Sequence, residues 1–157
     1  MHIHFGQTFN GNRSLTLPDS LGQQVLGPAG LLNLLETHLG LLVLLPTQSE
    51  RIVQFRNVLN VCKEHTFYHK SFELDELGTA RTLLQWRDTW YLHGWQGNFD
   101  PGVSEQLATM AEVEASAVTT VAGCEGQRLQ AVLQMLEGGS IVPIRQISLY
   151  DEMEYFP

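Results

Sequence analysis

The chain is predicted to fold as an α/β domain, and three observations predict it. Short β-like runs near the N-terminus alternate with segments whose apolar residues recur at helical spacing. A five-residue apolar run at 41–45 ends at Pro46 and suits a strand buried on both faces. A long helical middle is followed by a last β-like run at 141–150, and strands alternating with helices point to a parallel sheet. The 157 residues make one domain, expected to span 1–157 and to bury roughly 70% of its unfolded surface.

Runs at 2–5 and 14–17 flank Asn10-Gly11, which favours positive φ, so an N-terminal hairpin is expected. A short strand at 23–26 enters Gly27-Pro28-Ala29-Gly30, after which Leu31, Leu32, Leu34, Leu35 and Leu39 follow at helical spacing. Thr47-Gln48-Ser49-Glu50 reads as a capping box, because hydroxyl and carboxylate can each satisfy a free amide at a helix start. Ile52, Val53, Phe55, Val58, Leu59 and Cys62 form the buried stripe of that helix, with Arg51, Gln54 and Lys63 mainly off it. Residues 65–72 read as an aromatic, histidine-rich connector. Asp75 is the expected N-cap of a helix through about Leu92, with Leu77, Ala80, Leu83, Leu84 and Tyr91 inward and Gly94 as its stop. Residues 96–102 read as a loop, 104–116 and 125–137 as helices, and 141–150 as a strand interrupted or started by Pro143.

Composition narrows the class. Apolar residues at 43% and charged residues at 17% exclude a disordered tail, and no apolar run approaches the roughly 18 residues of a membrane span. Cys62 and Cys124 read as two buried thiols in a reducing compartment, and no signal peptide is visible, so the expected location is cytoplasmic. The net charge of −8 is uneven: residues 1–98 carry seven Lys/Arg against eight Asp/Glu, and 99–157 carry two against nine. A polyanion is repelled by the second part, so only the first can present a basic face.

The chemical motifs are sparse. Gly27–Gly30 stands where a phosphate loop would, but Leu31-Leu32 replace the lysine and hydroxyl that such a loop needs; a tight strand-to-helix turn explains the glycines. His2 with His4, and His65 with His69, have spacings that can converge on Zn²⁺, yet no third ligand or general base accompanies them. Glu73, Asp75 and Glu76 cluster where a helix dipole attracts acids, which accounts for them without a metal. No nucleophile signature is present, so neither catalytic residues nor metal ligands nor a cofactor are assigned. Arg51, Arg56, Lys63, Lys70, Arg81 and Arg87 are interleaved with Phe55, Phe67, Tyr68, Phe72, Trp86 and Trp90, a mixture able to track phosphates and stack bases. The competing reading makes the aromatics core and pairs the charges with Glu50, Glu64, Glu73 and Asp88.

Val25-Leu26-Gly27-Pro28-Ala29-Gly30-Leu31-Leu32-Asn33-Leu34-Leu35-Glu36 resembles the N-terminal region of a bacterial nuclease family with a PD-(D/E)xK domain, related to the AddB and RecB recombination nucleases. Glu50-Arg51-Ile52-Val53-Gln54-Phe55-Arg56, Phe67-Tyr68-His69-Lys70-Ser71-Phe72, residues 79–88 and Gly94-Trp95 continue the likeness. The resemblance implies a P-loop-like parallel-sheet domain, a degenerate helicase core with a helical insertion, in which Gly27 and Gly30 mark a lost and inactive nucleotide loop. It also implies that the chain is an N-terminal piece whose nuclease part lies beyond Pro157. The nuclease centre needs an (Asp/Glu)-x-Lys, and Val61 and Tyr68 stand two residues before Lys63 and Lys70.

The expected function is therefore non-catalytic: a helicase-like structural or DNA-guiding domain of a DNA end-processing nuclease in recombination and repair. Its expected partners are the remainder of its own full-length chain and DNA, with no membrane. Arg51, Lys70, Arg81 and Arg87 are the DNA-contact candidates, with the guanidinium groups of Arg51 and Arg87 expected to reach solvent. The alternative is a protein-interaction module with no DNA role. A third reading is a small metal-dependent enzyme using His2, His4, His65 and His69.

Overall fold

A computed structural model describes residues 1–9, 21–41, 46–64 and 66–150. The expected strand at 14–17, the Asn10-Gly11 turn and residues 42–45 of the apolar run lie outside them. The chain divides into two compact units, one of residues 1–43 with 131–157 and one of residues 44–130.

The first unit is α/β. Strands β1 (His2–Phe5), β2 (Gln23–Leu26) and β3 (Gln146–Leu149) form a parallel sheet in the order β2-β1-β3. His4 pairs with Val25 on one side and Ser148 on the other. Ile3, His4 and Phe5 are all buried, as a central parallel strand covered on both faces requires. β3 is shorter than the run that predicts it. Pro143 has no amide to give, so its carbonyl only accepts, from the Met1 ammonium at 3.0 Å, and Arg145 N–H is the first to donate, to the Met1 carbonyl at 2.9 Å. Helix α1 (Pro28–Leu39) follows β2 after the single residue Gly27 and buries Leu32 and Glu36, one turn apart.

The second unit is helical: α2 (Gln48–Cys62), α3 (His69–Leu74), α4 (Glu76–Leu92), α5 (Glu105–Thr120) and the first turns of α6 (Glu125–Glu137). The expected capping box starts α2, with Thr47 N–H donating to Glu50 Oε2 at 2.7 Å and Glu50 N–H to Thr47 Oγ1 at 3.3 Å. The Thr47 amide and the Thr47 hydroxyl, which donates to the same Oε2 at 2.9 Å, hold the Glu50 carboxyl below its ordinary pKa. The core joins Ile52, Phe55 and Leu59 of α2, Phe72 of α3, Leu83 and Leu84 of α4, and Met110, Val113 and Ala117 of α5. Two residues of the predicted stripes, Val53 and Leu77, are exposed instead. The connector at 65–72 contains a helix that its aromatic composition hid: α3 begins at His69, and Tyr68 before it is buried with its hydroxyl donating to the Leu59 carbonyl at 3.3 Å. Asp75 ends α3 and caps α4, its Oδ1 accepting from Gly78 N–H at 2.8 Å. α4 stops where predicted, with Gly94 at φ 86°.

Gly126 shows why a glycine opens α6. A Cβ there would lie 2.5 Å from the Leu92 amide nitrogen and the Tyr91 carbonyl carbon. The approach places Gln130 so that its amide donates to the Tyr91 and Trp95 carbonyls at 3.2 and 3.0 Å, the first of which also accepts from Gly94 N–H.

Candidate functional site

The Gly27–Gly30 segment has no cradle for a phosphate. Gly27 is extended, at φ −89° and ψ −176°, a conformation open to any residue, and Pro28 at the first helical position supplies no N–H. Gly30 already lies inside α1, where a Cβ would press on Leu26 Cδ2 at 3.1 Å. Its smallness serves strand–helix packing, the tight-turn reading of these glycines.

The four DNA-contact candidates separate. Lys70 in α3 and Arg81 in α4 are exposed. Arg51 and Arg87 are not: they are 8% and 0% exposed, which corrects the expectation that their guanidinium groups reach solvent. Arg51 lies on α2 four residues before Phe55 and seven before Val58, and so on the buried stripe. Its guanidinium grips Asp88 with two bonds of 2.7 Å and donates from Nε to the Ala122 carbonyl at 3.1 Å. Arg87 fills the place between Leu84 and Tyr91 on the inward face of α4. It makes a bidentate pair with Glu114 of α5, where the second bond is 2.8 Å, and lies 5.0 Å from the centre of the Tyr91 ring.

Electrostatics follow from this burial. Desolvation opposes the Arg87 charge, but the hydrogen bond and charge of Glu114 outweigh it, so Arg87 holds its proton more tightly than usual. Tyr91 donates to Glu114 Oε1 at 2.9 Å, and burial together with that carboxylate pushes its hydroxyl up to about 12. Burial also raises the Cys124 thiol, which suits an inert core residue; Cys62 is only half-buried.

Among the histidines, the parallel register brings His2 and His4 beside β3. His2 Nε2 lies 2.9 Å from Ser148 Oγ and His4 Nδ1 2.8 Å from the Tyr150 hydroxyl. His69 is bound to the Lys63 carbonyl at 3.1 Å and lies 3.5 Å from Glu73, while His65 falls outside the described residues. Glu76 pairs with Arg56 at 3.0 Å, and Asp75 is spent on its cap. Among the described residues no three of His, Cys, Asp and Glu are grouped to hold a metal ion, and no helix is long and apolar enough to cross a membrane.

The surface feature that sequence reasoning missed is a groove of about 550 Å³ between α3 and α4. Phe67, Leu74, Asp75, Thr79, Leu83 and Trp86 line it. Leu74 is 90% exposed and Trp86 43%, whereas Leu83 below them is buried. The available signal was Leu74 at the end of a six-residue helix too short to turn every apolar residue inward.

No family model, curated protein or solved structure matches the chain.

Proposed function

We propose that the chain acts by binding rather than by bond chemistry, as a protein-interaction domain whose contact surface lies on the helical unit. The α3–α4 groove carries this reading, because exposed Leu74 and Trp86 both line it above a buried apolar Leu83. Grouped large apolar side chains, a tryptophan among them, are what a protein surface spends on partners. The ion pairs Arg51–Asp88 and Arg87–Glu114 tie α4, one wall of the groove, to α2 and α5. The test is affinity capture with the wild type and a Leu74→Glu, Trp86→Ala variant of equal thermal stability. A partner kept by the first and lost by the second supports the reading, and identical capture by both sinks it.

A second reading, the DNA-guiding domain of a recombination nuclease, is favoured by the parallel β2–turn–α1 unit and by exposed Lys70 and Arg81. In it the remainder of a longer chain is a further partner. Binding to tailed duplex DNA should then weaken with salt. Lys70→Ala with Arg81→Ala should lower the magnitude of the log–log slope by roughly 0.7 for each single-strand phosphate no longer neutralised. Equal slopes would remove this role.

A further inference from the structure

We infer that the helical unit carries a second, separate binding site, at the end of α4, which takes an uncharged sugar ring. The hollow there holds about 420 Å³, within the roughly 300–1,000 Å³ of small-ligand sites, and shares no residue with the α3–α4 groove. Trp90, His93, Trp95, Gln96, Asn98 and Phe99 line it. The three aromatic rings form a corner. Trp95 and Phe99 lie 28° from parallel with centres 5.0 Å apart, and Trp90 stands across them at 72° and 86°. All three are partly exposed, so ring surface is left to the hollow.

The loop that carries the rings is fixed without the polar side chains beside them. Trp95 N–H donates to the Trp90 carbonyl and the Gln130 amide to the Trp95 carbonyl, both at 3.0 Å. The Trp95 indole N–H closes onto the Asn98 carbonyl, and Gly94 and Gly97 supply positive φ, 86° and 91°. His93, Gln96 and Asn98 are exposed, and among the described residues their side chains make no hydrogen bond. The two amides hold nothing together in the fold; they stand beside the rings on a loop already in place. The lining then selects the ligand. Among the described residues no Asp, Glu, Lys or Arg lines the hollow, so neither a phosphate nor an ammonium finds an ionic partner. The rings touch one another and enclose no box for a quaternary cation. What fits is a ring with C–H groups on its face and hydroxyls on its rim. The face lies on an aromatic ring, and each carboxamide both donates and accepts, as a hydroxyl does. A stacked nucleobase brings phosphates beside exposed Asp100 and meets no cation.

The experiment uses the full chain with cellohexaose, maltohexaose and chitohexaose as probes, and hexathymidylate and a decaproline peptide as competitors. Tryptophan fluorescence gives the affinity, and indole N–H chemical shifts give the site. At least one hexasaccharide should bind at millimolar concentration or below, moving the Trp90 and Trp95 signals more than that of Trp86. Gln96→Ala with Asn98→Ala, at exposed and unbonded positions, should weaken it at least 10-fold at an unchanged melting temperature. Phe99→Leu keeps an apolar side chain, removes the ring and should weaken it several-fold. No binding of any hexasaccharide, equal affinity in the amide variant, shifts centred on Trp86, or tighter binding of either competitor would overturn the inference. A lower melting temperature in the amide variant would overturn it too, because the amides would then belong to the fold. Capture with Leu74→Glu, Trp86→Ala reads the α3–α4 groove, so the interaction reading stands or falls separately.

Discussion

Glu114 accepts two hydrogen bonds from Arg87 and one from Tyr91 at a position where its carboxylate is almost fully enclosed. Such a carboxylate is tolerable only because every bond is made, so removing its charge strands a buried guanidinium. Glu114→Gln should cost about 3–5 kcal/mol in urea unfolding, as for other broken buried pairs. Asp88→Asn should cost less, because the Arg51–Asp88 pair keeps some water contact at 10% and 22% side-chain exposure. The tyrosines give a pH signature. Burial raises the Tyr68 and Tyr91 hydroxyls to about 12 in the folded chain against a usual value of 10. Above pH 10 the unfolded chain has released these protons and the folded chain has not, so stability is complete below that pH and falls as pH rises toward 12. Tyrosinate absorbance should show these two ionising late and together with unfolding; normal titration in the folded state would contradict their burial.

The helices were legible because their signals are local. A capping box spans four residues, a buried stripe repeats every three or four, and a stop glycine acts on the turn before it. Hence α2 and α4 stand where the pattern puts them. The same spacing also held the positions of Arg51, Arg87 and Glu114: each falls on a buried stripe, Glu114 between Met110 and Ala117 of α5. Their charge invited the opposite reading, since an arginine is ordinarily exposed unless something pairs with it. α6 offers a test at this scale. Gly126→Ala must push α6 away from the end of α4, because the obstructing atoms are backbone. It should destabilise by about 1–3 kcal/mol, the range of overpacking, although alanine is the better helix former. A gain in melting temperature would show that the close approach is absent.

For the molecule as a whole, the charge asymmetry and the buried pairs act in the same direction. Residues 99–157 carry nine acids against two bases, and two arginines of the more basic part are internal. Arg51→Ala and Arg87→Ala should therefore lower folding stability rather than the salt slope of any DNA binding. Loss of binding without loss of stability would return them to the surface. Sequence alone determined the α/β class, the strand at 23–26 feeding a helix, the capped α2, and α4 with its cap and stop. Those depend on hydrogen bonds and side-chain spacings within a few residues. Only the tertiary structure decided that His2 stands beside Ser148, 146 residues away, that Arg51 finds Asp88 across 37 residues and that Arg87 finds Glu114 across 27. Whether an arginine is a surface cation or half of an interior pair depends on a distant carboxylate arriving, and no local pattern encodes that arrival.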